Sequence, residues 1–537
     1  MGLGIRSSLL TGLCALLAAT SAHMGCDARR ALHRRRDPGA LVVAQAADVQ
    51  LLDPVRVQDS ESIEVSTLLF EGLVRWTADG TEVEPGLARS WEVSADGRVW
   101  TFQLRPGVVF HDGTPLDAAA VAFSFERLLL RTHPHYLAAA DADYWRSLMK
   151  EVTGVVPIDR ETVEIRVARS YAPLLSNLAM FPIVSPAAVR EQGDEFKAHP
   201  VGTGPFRFES WQRGDSVVVR RFEQYWGDAP LLDQIVFRVV VDARQRLVDL
   251  ESGSVDLATG ILPDEQPFVE LHPDLELHVA RGSNVSYLAF NMARHPFDDR
   301  SVRRALAHAI NKEPIVRLGF QGRAVTAESP VPPIQWAYHQ PRTRYAYAPE
   351  RARELLAAAV AGRVLDPDTT YTLYAPATPR PYLPSPERVA RFLQAELAQV
   401  GIRTKLRLQP LQEHLVSVEA GEHDLALSGW INDTGDPDNF LYVLFHSDGA
   451  VRGSATNISF FHDREVDRLL TAAQGVADPA SRTRLYVEAQ DRIAEEAPWV
   501  PIAHCEYVVA ARKDLDGVKL SPLGYPIYSG IARRGQQ

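Results

Sequence analysis

Cysteine is scarce in this chain, at three in 537 residues. A disulfide scaffold needs more than that, so packing of a core must hold the fold. Cys14 falls in an N-terminal apolar run, Cys26 lies just beyond it, and Cys505 sits in the apolar stretch PIAHCEYVVA, where a small buried hydrophobe is expected. Long apolar runs are also missing. The apolar run from Leu9 to about Ala19 is short of the roughly 20 residues that span a bilayer, and no other segment comes close. There is no excess of positive charge either. The formal net charge is −11; residues 1–40 hold six Arg against two Asp, so the remaining chain carries −15. Nucleic-acid phosphates need basic patches, and an acidic body argues against that partner. Catalytic signatures are absent as well. No G-x-S-x-G elbow and no H-E-x-x-H helix occurs. Gly202-Thr203-Gly204-Pro205 lacks the third glycine of a dinucleotide loop and has proline where backbone donors would be needed. Neither an enzyme activity nor a cofactor is expected.

The N-terminus itself reads as an export signal. Residues 1–22, MGLGIRSSLLTGLCALLAATSA, carry one early positive charge, an apolar run and then small residues. Cleavage after Ala22 is one reading. The other makes Cys26, in HMGC, a lipid-bearing cysteine; Gly25 suits it, while His23 stands where leucine is preferred. Residues 23–40 then form a basic tether, and the body is placed in the periplasm or lipid-anchored at the cell envelope.

A chain this long exceeds the roughly 250–300 residues at which one core stops growing, so two or more lobes are expected. In LARSWEVSADGRVWTFQLRPGVVFHDGTPL, Asp96-Gly97 signals a hairpin turn. Trp100, Phe102 and Leu104 alternate with polar neighbours, as a half-buried strand does. Further on, VSYLAFN predicts a strand and SVRRALAHAINK a helix with Val302, Leu306 and Ile310 on one face.

Residues 370–431 predict β-α-β-α-β. TYTLYA is a strand, a helix starts at Ser385-Pro386 and ends at Gly401, IRTKLRL alternates strictly, a helix covers about Leu411 to Ala420, and DLALSGWI closes the unit. Such strands run parallel, and ligands sit beyond their carboxyl ends. Two loops leave that edge, PATPRPYLPSP and NDTGDPDNF. Arg380, a fixed cation with a planar donor fork, and the anion Asp433 therefore point toward one crevice. A ligand bearing both end charges would span them.

The second loop packs Asp433, Asp436 and Asp438 into six residues. A calcium loop needs a glutamate at its twelfth position; counting from Asp433 that residue is Leu444, and Pro437 interrupts. Asp436 and Asp438 read instead as a solvated turn capping the next apolar segment. His133 and His135 flank a proline with no third ligand nearby, so they read as a surface loop and no metal is expected.

The segments quoted above, with VGTGPF, FNMARHPFDDRSVRRALAHAINK and GDPDNFL, together resemble the extracellular solute-binding proteins of the peptide/nickel ABC-importer family, from about residue 45 to 530. The resemblance implies an α/β, two-lobed periplasmic-binding-protein-like fold with a hinge and an extra N-terminal subdomain. Lobe I would be 41–280, with the subdomain at about 66–198; lobe II would be 281–504; and 505–537 would return to lobe I. The loops look like those of the dipeptide-binding branch. That implies Arg380 of RPY for the peptide carboxylate, with Tyr382 beside it, Asp433 for the α-ammonium and Trp430 lining the pocket. The N-terminal loop PVRVQDSES is richer in charge than the small Thr/Ser/Gly pattern of that branch, and offers Gln58, Asp59 and Ser60 as ligand contacts. The implied partners are a short peptide and membrane permease subunits, with no nucleic acid, for a monomeric protein. Within the family, an oligopeptide, a glutathione-like molecule, a sugar or a metal chelate remains open as ligand. An exported hydrolase is the alternative from another class.

Overall fold

The computed structural model describes residues 39–535, apart from 58, 78, 79 and 81. The signal segment, the tether, Cys26 and Gln58 lie outside these described residues.

One 14-residue strand, Trp499–Arg512, organises the chain. Its first half pairs antiparallel with Asn284–Phe290 and Ala324–Thr326. Its second half pairs with Leu257–Ala258 and Leu275–Arg281. Two bodies of sheet therefore share a single strand. The first contains the opening strand Ala40–Gln45, which lies parallel to Gln234–Val239 and Leu257–Ala258. Its core is built from Leu41, Val43, Phe206, Ile235 and Phe237, completed by Val509, Ala511, Tyr528 and Ile531 from the far end of the chain. Arg533 finishes that closure, donating to Ala40 O at 3.0 Å and Asp256 Oδ2 at 2.8 Å.

The second body holds the β-α-β-α-β unit. Thr370–Pro376 runs parallel to both Arg403–Gln409 and Leu425–Ile431, with helices Pro386–Gln399 and Leu411–Glu419 between them. The helix before Gly401 ends there because its backbone turns left-handed, with φ +88°, a conformation that glycine adopts without steric cost. Leu373, Leu393, Leu397 and Leu425 fill one face of this sheet; Tyr374, Phe440, Phe445 and Trp499 fill the other.

A smaller antiparallel sheet of four strands, in the order Ala88–Val93, Val99–Leu104, Thr162–Val167 and Val152–Pro157, forms a third unit. Trp100, Phe102 and Leu104 face its core while Val99, Thr101 and Gln103 are half-buried, the alternation expected from the sequence. Asp96 and Gly97 make the hairpin turn, with Ser94 N donating to Val99 O at 2.9 Å. His133 and His135 pack against the Phe123 ring.

The two larger bodies are joined where Arg281–Asn284 and His504–Glu506 pass side by side. The buried Asn284 amide clamps this crossing. Its Nδ2 donates to Cys505 O at 2.9 Å and its Oδ1 accepts from Cys505 N at 2.7 Å. Gly282 is required beside it, since a Cβ there would meet Asn284 Nδ2 and Cys505 O. Cys505 is buried and free, and burial pushes its thiol up to about 12, which removes thiolate reactivity. Among the described residues, no helix is long and apolar enough to cross a membrane.

Candidate functional site

The carboxyl ends of the parallel strands Thr370–Pro376 and Leu425–Ile431 open onto a cleft of about 1550 Å³ between the bodies. Arg380, Tyr382, Trp430, Asp433 and Ser60 all line it. The structure thus gathers the two charged loops with the start of the helix Ser60–Leu69.

Arg380 is held by a tight turn. Its backbone N–H donates to Leu383 O at 3.0 Å and Leu383 N–H returns the bond to Arg380 O at 2.8 Å. Its guanidinium lies 6.0 Å from the Tyr382 ring, and its Nε is buried without a hydrogen-bond partner. Tyr382 packs against the backbone of Gly429, where any Cβ would meet the ring. That close approach explains the glycine in SGW. Trp430 is oriented by its own indole N–H, which donates to Asn439 Oδ1 at 2.7 Å.

Asp433 sits on a stiff loop. Asn432 N–H donates to Ser283 O at 2.9 Å, and Asn432 Nδ2 donates to Asp436 O at 3.0 Å. Gly435 has φ +69° and abuts Trp76. Asp433 itself is half-buried, open to the cleft and otherwise walled by protein. Burial pushes its carboxyl up to about 6, while a hydrogen bond from Tyr144 pulls the other way. The Tyr144 hydroxyl donates to Asp433 Oδ2 at 2.9 Å. Tyr144 and Trp76 both come from the smaller unit, so this unit and the second body together enclose the carboxylate. The smaller unit also grips the second body directly. Ala172 N–H donates to Gln474 O at 2.7 Å, and Ser170 Oγ donates to Gly475 O at 2.9 Å.

Two sequence expectations are corrected here. Asp436 and Asp438 are not a solvated turn; both are buried. Arg482, 46 positions along the chain, reaches beneath the loop and makes two bonds to Asp436, at 2.9 and 2.8 Å. The side chains of this pair are 8% and 3% exposed. Asp438 accepts from Gln474 Nε2 at 2.9 Å, and burial, with the nearby Asp436 charge, pushes its carboxyl up to about 7. Asp59 is engaged within the protein rather than offered to a ligand. Its side chain accepts from Ser62 N–H at 2.8 Å and caps the helix Ser60–Leu69. Sequence reasoning missed Tyr144, Trp76 and the cleft-facing Glu61. Tyr144 stands 289 positions from Asp433, and no local pattern links the two.

The profile of the bacterial extracellular solute-binding proteins, family 5 Middle, matches residues 82–451. The chain belongs to this family. It is 34% identical over 483 residues to the dipeptide-binding protein of Escherichia coli K12, covering 87% of this chain and 89% of that protein. It is 32% identical to heme-binding protein A of Haemophilus influenzae, covering 88% of each. Among solved structures, the periplasmic binding protein DppA of Helicobacter pylori in complex with the peptide STSA superposes with a TM-score of 0.78 at 31% identity, covering 92% of this chain and 98% of that one. The fold is accordingly the two-lobed α/β fold of the family's periplasmic binding proteins, as the sequence led one to expect.

Two outcomes test this site. Asp436→Asn leaves the Arg482 charge buried without a full partner and should destabilise the protein by about 3–5 kcal/mol, read as a lowered urea midpoint. The exposed-pair control Asp368→Asn, whose aspartate bonds Arg403 with its side chain 89% exposed, should shift the midpoint little. NMR titration of the Asp433 carboxyl should give a midpoint near 6, and Tyr144→Phe should raise that midpoint, because the lost donor favoured the ionised form.

Proposed function

We propose that this chain is the solute-binding component of an ABC importer and captures short peptides, dipeptides above all, by pairing both of their end charges as the lobes close. The observation that carries the reading is a pair of opposite charges facing one cleft. Among the described residues, neither Asp433 nor Arg380 has an ion-pair partner. A peptide's α-ammonium suits Asp433, and its carboxylate suits the Arg380 fork. Trp430, Trp76 and Tyr144 offer aromatic faces around the ammonium end. Closure expels water and strengthens both pairs. A blocked end would leave one charge buried and unpaired, which selects for free termini.

Lobe I is taken as 41–280 with 505–537, lobe II as 281–504, and the subdomain as about 66–198, with closure about the crossing at Asn284 and Cys505. The cleft exceeds the roughly 300–1,000 Å³ of most small-ligand sites, which leaves room for varied side chains and for water between them and the walls. The likeness to proteins named for dipeptide binding and to a structure holding a peptide supports this reading over the other ligands of the family. The protein acts without catalysis, as an exported monomer, free in the periplasm or held by lipid at Cys26, and delivers its ligand to membrane permease subunits.

Isothermal calorimetry with Ala-Ala tests the assignment. Asp433→Ala and Arg380→Ala should each weaken binding at least tenfold, about 1.4 kcal/mol or more, with the thermal midpoint retained. N-acetyl-Ala-Ala and Ala-Ala amide should not bind measurably. Wild-type affinity in both variants would overturn the site. Affinity should also fall as pH drops through about 6, where Asp433 takes up a proton. The sign follows because only the ionised carboxylate pairs with the ammonium, so protons compete with peptide.

A further inference from the structure

Glu61 opens the helix Ser60–Leu69 and faces the cleft. Its neighbours are engaged inside the protein. Asp59 caps the helix, Ser62 Oγ accepts from Gln50 N–H at 2.9 Å, and Glu64 accepts from Gln45 Nε2 at 2.7 Å and from the Tyr528 hydroxyl at 2.5 Å. Glu61 differs. It is half-buried, and among the described residues no side-chain donor or cation pairs with it. Burial and the nearby Asp59 charge disfavour its ionisation, while a backbone hydrogen bond and the Arg246 and Arg380 guanidinium groups favour it. Arg246 is occupied, donating to Val240 O, Val241 O and Gly260 O at 2.8–3.0 Å.

The other charges of the cleft sharpen the point. Arg75 pairs with Glu84, and Arg323 pairs with Glu270 outside the cleft. Glu71 accepts from Thr203, Tyr225 and Trp226. Arg246, Glu64 and Glu71 also lack an ion pair but are each held by two or more hydrogen bonds inside the protein. Apart from these, the cleft charges without an ion pair among the described residues are one cation, Arg380, and four anions: Asp433, Glu61, Asp228 and Glu506. A zwitterionic peptide neutralises Arg380 and Asp433 and leaves an acidic remainder. Of those three acids, Glu61 is the one carried on the first turn of a helix that faces the cleft.

We propose that Glu61 is a specificity-determining residue that receives a basic side chain on the ligand's carboxy-terminal residue. This rests on the peptide reading above, which puts the terminal carboxylate at Arg380. Glu61 lines the same cleft as Arg380, and the flexible four-carbon stem of a lysine on the last residue carries its ammonium to that carboxylate. The partly desolvated setting makes the pair stronger than one at an open surface. An acid in the first turn also suits the helix N-terminus, so the test reads ratios of affinities, which helix stability does not move.

Calorimetry at pH 7.5 would compare Ala-Lys with Ala-norleucine, its uncharged counterpart, and with Lys-Ala. The wild-type protein is expected to bind Ala-Lys at least fivefold more tightly than Ala-norleucine, and Glu61→Gln to bring that ratio close to one. Glu61→Lys should reverse the charge preference, favouring Ala-Glu over Ala-Gln. An Ala-Lys to Ala-norleucine ratio unchanged by Glu61→Gln, or a Glu61-dependent preference for Lys-Ala, would overturn the proposal while leaving the dipeptide reading intact. Failure of Ala-Ala and of all these peptides to bind would overturn the dipeptide reading and this proposal with it.

Discussion

Two opposite charges, Asp433 and Arg380, face one cleft and must not find each other. In the proposed site, an ion pair between them would neutralise both and leave nothing to hold a ligand. The fold prevents this by stiffening each loop separately. The Arg380 turn is closed by paired backbone bonds with Leu383, and Tyr382 is fixed against Gly429. The Asp433 loop is pinned from below by the buried pair of Asp436 and Arg482. A buried ion pair contributes little net stability but costs several kcal/mol to break, so it serves as a rigid strut. The two charges proposed to bind a peptide are then pre-organised, and a ligand would not have to order them.

Much of this was legible in the amino-acid sequence, for local reasons. The β-α-β-α-β pattern of 370–431 depends on periodicities of two and 3.6 residues, and the parallel geometry that follows places loops 53 positions apart at one edge. The strand of Trp100, Phe102 and Leu104 and the turn at Asp96-Gly97 were readable for the same reason. What escaped depended on distant partners. Asp436 looks like any loop acid until Arg482 folds in beneath it. Asp59 looked available for a ligand, but a capping bond to Ser62 N–H takes its carboxylate. Tyr144 meets Asp433 only because the smaller unit docks across the cleft, and nothing in ADADYWRSL announces that.

The smaller unit is therefore part of the site. It brings Tyr144 and Trp76 to Asp433 and holds the second body through Ala172 and Ser170 at Gln474 and Gly475. The arrangement around Asp433 and the relative position of the bodies are thus coupled through contiguous packed residues.

The return of the chain into the first body has a consequence for the order of events during synthesis. The opening strand Ala40–Gln45 lies in a sheet whose neighbours and core include residues 509–533, and Arg533 bonds directly to Ala40 O. A nascent chain grows from its amino end, so these final segments emerge last. The first body cannot reach its native core until these residues have been added, although the second body, proposed at 281–504, has nearly all its parts earlier. Of the two larger bodies, the one that begins earlier in the chain is the later to be finished.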